Sequence, residues 1–256
     1  MRSHLPGSKM SLIVRRTNRG VRMTLKAILL TALVTALGTG CNGRSAENRT
    51  QAPVPGATHE HSTGSEHAFP DPQTYADRLD DPGRDDWQMP EAVVERLACG
   101  PGMTVVDLGA GTGYFAGYLS AAVGREGRVL ALDIDRSMVD RIEARIDRDE
   151  LPNVEPGVIG AADPGLAPRS VDRILIVNTW HHISNRLDYA DKLRAALRPG
   201  GLVLIVDFTI ESPHGPPPGM RLTHDTVVRE LRAAGFEARL VEAPLPYQYL
   251  VAGRLP

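Results

Sequence analysis

"VVDLGAGTGYFAGYL", residues Val105–Leu119, decides the fold. An apolar run (Val105, Val106, Leu108) leads into three glycines at alternate positions, Gly109, Gly111 and Gly113, and then into a helical pattern. Glycine frees the backbone for tight turning and for close approach of another group. A glycine-rich turn between a buried strand and a helix is the unit that cradles a nucleotide in α/β proteins.

The chain around it repeats that rhythm. Strands are predicted at 103–109, 128–134, 154–161 ("VEPGVIGA", the weakest), 171–179 and 201–209. Helices are predicted at "PEAVVERLACG" (90–100), which has Pro in its first turn and Gly at its end, and at 112–124. Further helices are predicted at "SMVDRIEARI", with Met138, Ile142 and Ile146 on one face, at "RLDYADKLRAAL" up to "RPGG", and at "HDTVVRELRAAGF". "EARLVEAPLPYQYLVAGRL" closes the chain as two strands joined through prolines. Strands apolar on both faces, alternating with helices, imply a parallel sheet covered on both sides. The fold class is α/β: a doubly wound, Rossmann-like, mostly parallel seven-stranded sheet with an antiparallel terminal strand.

The spacing of the turn narrows the ligand. It reads G-x-G-x-G, not G-x-G-x-x-G, and Tyr114 stands where a dinucleotide fold wants Gly or Ala. Asp107 lies two residues before the first glycine. A carboxylate there repels a pyrophosphate at the helix N-terminus and attracts a cation. S-adenosylmethionine (SAM) carries an ammonium, a sulfonium and no phosphate. Asp133, at the end of the second strand, is placed to accept hydrogen bonds from both ribose hydroxyls, as in other nucleoside sites.

"VVDLGAGTGYF", "VLALDID", "VDRILIVNTWHHI" and "LRPGGLVLIVDF" resemble, in order and spacing, the successive motifs of class I SAM-dependent methyltransferases. The resemblance is nearest to the small-molecule branch that includes quinone-biosynthesis methyltransferases, and it covers about residues 90–256. It implies a cofactor pocket built from Asp107, Gly109, Ala110, Gly111, Thr112 and Gly113 around the methionine part. Asp133 and Ile134 would serve the ribose and adenine, Ala162 and Asp163 the adenine edge, and Asn178 and Thr179 the floor near the methyl. For Asp163 a solvated loop carboxylate is the other reading. "NTWHHI" puts His181 and His182 at the mouth of the site, where either is a candidate base or substrate donor; a helix-capping or packing role is the alternative. "NTWH" is not the Asn-Pro-Pro-Tyr of nucleobase or glutamine N-methylating enzymes. Arsenite methyltransferases use several cysteines; here only Cys99 lies in the domain. Trp87 and Gln88, ahead of the domain, read either as a lid over the cofactor or as a staple for the first helix. Tyr247 and Tyr249 share one strand face and read as packing.

The N-terminus carries a different message. Residues 1–40 hold seven basic residues, no acidic ones, and the charge-free run Ala27–Leu37 followed by "GTGC". That pattern is a basic n-region, an h-region and small residues before Cys41, similar to a lipoprotein signal. The run is too short for an ordinary spanning helix of ~20 residues. An uncleaved anchor, or a later start at Met10 or Met23, are the alternatives. Residues 41–72 are rich in Pro, Gly, Ser, Thr, Asn and His and read as a tether. Within it "HEHSTGSEH" (His59, His61, His67) reads as a polar linker in preference to a metal-binding tract, so no metal is expected. The catalytic domain is assigned to 73–256.

Without residues 1–40 the chain has 22 basic and 31 acidic residues, a net charge of −9. Such a balance argues against a nucleic-acid partner. With two cysteines in all, a disulfide framework is excluded. The expected protein is a methyltransferase for a small-molecule or lipid-like acceptor, held at a membrane through its N-terminus, facing the periplasm or the cytoplasm. The competing class is an exported nucleoside-binding module that keeps the fold without the reaction.

Overall fold

The computed structural model describes residues 72–256. The expected signal at 1–40, Cys41, and the tether with His59, His61 and His67 lie outside the described residues.

The strands are β1 (Thr104–Leu108), β2 (Arg128–Asp133), β3 (Val154–Val158), β4 (Val171–Val177), β5 (Leu197–Phe208), β6 (Glu237–Val241) and β7 (Gln248–Arg254). They form one sheet in the order β3-β2-β1-β4-β5-β7-β6. Every pairing is parallel except those of β7, which runs antiparallel to both β5 and β6. The chain winds outward from β1 through β2 to β3, then returns to place β4 on the other side of β1. This reversal opens a crevice at the carboxyl ends of β1 and β4, where doubly wound sheets take their ligands.

The helices are α1 (Pro72–Leu79), α2 (Asp85–Gln88), α3 (Pro90–Leu97), α4 (Ala116–Val123), α5 (Arg136–Asp149), α6 (Arg186–Ala196) and α7 (His224–Ala233). All five residues of β1 are buried. Its alternate side chains serve opposite faces: Val105 packs with α3, α4 and α5, whereas Val106 and Leu108 pack with α6 and α7. Each such Val or Leu contributes ~1.5–3 kcal/mol by leaving water. That two-sided demand is why the strands read as unbroken apolar runs. Local signals fix the helix starts. Asp135 caps α5 by accepting from Ser137 N at 2.8 Å, and Thr223 caps α7 by accepting from Thr226 N at 3.3 Å.

Two differences from the sequence reading stand out. "RPGG", expected to end a helix, lies inside β5, which begins at Leu197. Leu197 pairs with Val171, the register shifts before Arg173, and Gly200 takes a φ of +75° in the irregular stretch. The segment 72–88, to which no helix was assigned, forms α1, a short 3-10 turn and α2.

Candidate cofactor site

The glycine turn leaves β1 at the top of the crevice. Gly109 N and Ala110 N both donate to Leu132 O, at 2.8 and 3.0 Å, so the turn is anchored to the neighbouring strand. Gly109 has a φ of +73°, and a Cβ there would stand 2.3 Å from Thr179 Oγ1. Only glycine satisfies both conditions. Gly111 N donates to Asp133 Oδ2 at 2.8 Å and Asp135 N donates to Asp133 Oδ1 at 3.0 Å, so the end of β2 is tied to the turn. Burial raises the Asp133 carboxyl above the usual range, while backbone N–H groups oppose the shift.

These elements enclose a cavity of about 450 Å³, within the range of small-molecule sites. Of the expected cofactor residues, Asp107, Gly109, Ala110, Gly111, Asp133, Ile134, Asn178 and Thr179 line it. Asn178 does so from a left-handed conformation (φ +54°) with its Oδ1 accepting from Gln248 Nε2 at 2.7 Å.

Asp107 is 2% exposed, and its Oδ2 has no hydrogen-bond partner within the protein. Burial pushes its carboxyl up to about 7; the positive charge of Arg84 opposes this and the negative charge of Asp133 adds to it. Buried carboxylates normally have their oxygens satisfied. An orphan oxygen in a cavity wall marks a place where a cationic group from outside can complete the pairing.

Four expected residues stand elsewhere. Thr112 is buried beside the cavity but not in its lining; its hydroxyl donates to Asp80 Oδ1 at 2.7 Å. Gly113 has its Cβ position 3.3 Å from Ile142, so this glycine serves the packing of α5 against the turn. Ala162 and Asp163 are exposed and do not line the cavity. Ala162 O accepts from Lys192 Nζ, and Asp163 Oδ1 accepts from Gly165 N of its own loop. Their expected place on the wall is held by Ile159 and Ala161.

The two histidines separate. His182 lines the cavity. His181 does not: its side chain is 2% exposed and its Nδ1 lies 2.9 Å from both carboxylate oxygens of Asp207. The rings stand 4.1 Å apart, so the buried pair supports the histidine that faces the cavity.

The largest surprise is the segment 72–88 at the start of the domain. Leu79 and Arg84 form part of the cavity wall. Arg84 is 6% exposed, donates to Leu79 O at 2.8 Å and to Gln88 Oε1 at 3.3 Å, and lies 3.9 Å over the Tyr114 ring. The segment is pinned at many points. Asp80 meets Arg145 at 2.5 Å, Asp85 accepts from the Tyr114 and Tyr118 hydroxyls, and Gln88 Nε2 donates to Gln248 Oε1 at 2.7 Å. Trp87 stacks on His214 with ring centroids 4.9 Å apart. Trp87 and Gln88, read as a lid or a staple, thus fasten the segment and do not line the cavity; Arg84 is the residue that closes it.

A family model for a methyltransferase domain matches residues 105–201. The crystal structure of a SAM-dependent methyltransferase from Aquifex aeolicus superposes with a TM-score of 0.69 at 31% identity, over 73% of this chain and 100% of that one. This chain belongs to the SAM-dependent methyltransferases. Among curated relatives of this methyltransferase, the ubiquinone/menaquinone biosynthesis C-methyltransferase of Hydrogenovibrio crunogenus is 29% identical over 124 residues, 45% of this chain and 46% of that protein. The arsenite methyltransferase of Halobacterium salinarum is 27% identical over 154 residues, 55% of this chain and 39% of that protein. The chain spans less than half the length of these curated relatives.

The cofactor of the methyltransferase is SAM. The cavity fits it on two independent features of the chain. The orphan Oδ2 of Asp107 suits an ammonium. Ile134, 55% exposed at the end of β2, offers a bare apolar face to an adenine.

Proposed function

We propose that this methyltransferase moves a methyl group from SAM to a small-molecule or lipid-like acceptor, from an N-terminal tether at a membrane. The observation that carries the placement of the cofactor is the buried, unpartnered Oδ2 of Asp107 beside the glycine turn. Asp107 and Arg84 then hold the two charged groups of the methionine part, the carboxylate taking the ammonium and the guanidinium taking the carboxylate. Asp133 accepts from the ribose, and Ile134 and Ile159 sandwich the adenine.

SAM supplies the methyl on a sulfonium, so the chemistry left to the protein is alignment and proton removal. Asn178 and Thr179 floor the cavity, and Gln248 holds the Asn178 amide in one orientation. His182 takes the acceptor's proton or donates a hydrogen bond to it. His181, locked by Asp207, positions it. The segment around Arg84 excludes water from the reacting end.

The quinone-biosynthesis relative supports an activated ring as the acceptor. Arsenite is disfavoured, because Cys99 lies at the end of α3, outside the cavity lining, and burial pushes its thiol up to about 11. The basic n-region, the apolar run 27–37 and Cys41 support lipoprotein-type anchoring on the periplasmic face.

The test uses the full chain in detergent, SAM labelled in its methyl, and a membrane lipid extract or a soluble quinol precursor. Label transfer that falls with His182→Ala is expected. A folded chain that binds SAM and labels neither acceptor class overturns the acceptor reading. A reporter fused after Pro256 that is active only inside the cell overturns the periplasmic placement alone.

A further inference from the structure

A second concave site lies at the far end of the sheet from the cofactor. It has a volume of about 430 Å³ and is walled by the end of α3, the outer strand β6, the end of β7 and the last turn of α7. Four arginines line it, Arg96, Arg232, Arg239 and Arg254, against two acids, Glu95 and Glu237. In a chain whose net charge is negative, this is a local reversal of sign.

Two of the arginines are braced by backbone. Arg96 Nε donates to Glu242 O and Arg232 Nε donates to Ala238 O, both at 2.9 Å. Each keeps terminal N–H groups beyond the braced atom. Arg96 also meets Glu95 at 3.1 Å. Among the described residues, no carboxylate lies within ion-pair distance of Arg232, Arg239 or Arg254. Glu237 stands directly across the β6–β7 ladder from Arg254, yet the two side chains form no ion pair. Charged side chains on an outer strand also discourage edge-to-edge pairing. That role needs no concave site, and it does not call for arginines from α3 and α7 to converge with those of the strands.

We propose that this groove binds a phosphate-class oxyanion, such as a diphosphate or the phosphate of a larger molecule, on the guanidinium groups of Arg96, Arg232, Arg239 and Arg254. Guanidinium forks match tetrahedral oxyanions, and three of the four, Arg232, Arg239 and Arg254, have no acid within ion-pair distance among the described residues. The site is separate from the methyl-transfer cavity: none of its lining residues is shared with it. The oxyanion belongs either to a soluble ligand or to a lipid headgroup, and the chemistry of the groove is the same for both.

The test titrates the full chain with sodium pyrophosphate at low salt by calorimetry, and repeats it with the Arg239→Gln/Arg254→Gln variant. Saturable binding that weakens at least tenfold in the variant, and falls steeply as salt is raised, is the expected result. SAM binding and melting temperature serve as controls for folding, and both are expected to be unchanged. Should the double variant fail to fold, Arg239→Gln alone, at an exposed position on the outer strand, is expected to weaken pyrophosphate severalfold. Sedimentation with vesicles of phosphatidylcholine, with and without phosphatidylglycerol, separates the sources. A phosphatidylglycerol-dependent difference between parent and variant assigns a headgroup; pyrophosphate binding with no such difference assigns a soluble ligand. No saturable binding to either, or equal binding by parent and variant, overturns the site and leaves edge protection as the role of the arginines.

Discussion

Replacing Asp107 with Asn keeps the shape of the side chain and removes its charge. In the folded protein without cofactor the Asp107 carboxyl titrates at about 7; in the unfolded chain it titrates near 3.8. Between those values the folded protein holds a proton that the unfolded chain has released, so stability falls as pH rises through that window and is level above it. The full difference is about 4 kcal/mol at 1.36 kcal/mol per pH unit, and the pull of Arg84 is already included in it. Asp107→Asn escapes this penalty. For a domain of this size, the variant without SAM should melt roughly 10 °C above the parent at pH 8. The advantage should shrink to a few degrees by pH 5. SAM should narrow the gap: at one hundred times Kd it stabilises the parent by about 2.7 kcal/mol, which offsets more than half of the variant's advantage, and it stabilises the variant far less. Thermal melts of the full chain from pH 5 to pH 9, with and without SAM, measure both effects. A variant that melts no higher than the parent at pH 8, or by an offset that does not change with pH, would refute the reasoning that this carboxylate waits unpaired for a cation.

Other substitutions separate the roles of the cavity residues. Gly109→Ala, forced to a φ of +73° and against Thr179, should cost at least ~2 kcal/mol of stability and abolish SAM binding, read by melts and titration. Arg84→Met should weaken SAM by ~10–100-fold, as for loss of one charge-assisted pair, yet leave decarboxylated SAM almost unaffected; equal losses for the two ligands would remove the guanidinium from the carboxylate. His182→Ala should lower kcat with little change in SAM affinity. His181→Ala should instead lower the melting temperature by several degrees, since it leaves Asp207 buried without its partner at about 3–5 kcal/mol.

The strands were legible because a sheet covered on both sides demands apolar residues on both faces, as in Ile174–Val177 and in β1, where Asp107 alone interrupts Val105, Val106 and Leu108. The turn was legible because its glycines, Asp107 and Asp133 lie close together in sequence. Within the turn, spacing could not say which way each residue faces: Gly111 meets the cavity, while Gly113 meets Ile142. The loop after β3 was misread for a similar reason. Its Gly160–Asp163 bridge turns Asp163 back on its own backbone and leaves Ala161 facing the cavity. The segment 79–88 was the least legible. "LDDPGRDDWQ" is polar and proline-bearing, with the composition of a linker. Its order comes from distant partners such as Tyr114, Arg145 and Gln248. A buried arginine such as Arg84 leaves little local signature, because the aromatic ring that covers it, Tyr114, is contributed from elsewhere in the sequence.

The most direct test is calorimetric titration of the folded full chain with SAM at several pH values, beside Asp133→Ala. The account predicts one SAM per chain, affinity that is level above pH 7 and falls up to tenfold for each pH unit below it, and loss of binding in the variant. A folded chain that gives no heat with SAM, or an Asp133→Ala variant that binds as the parent does, would contradict it.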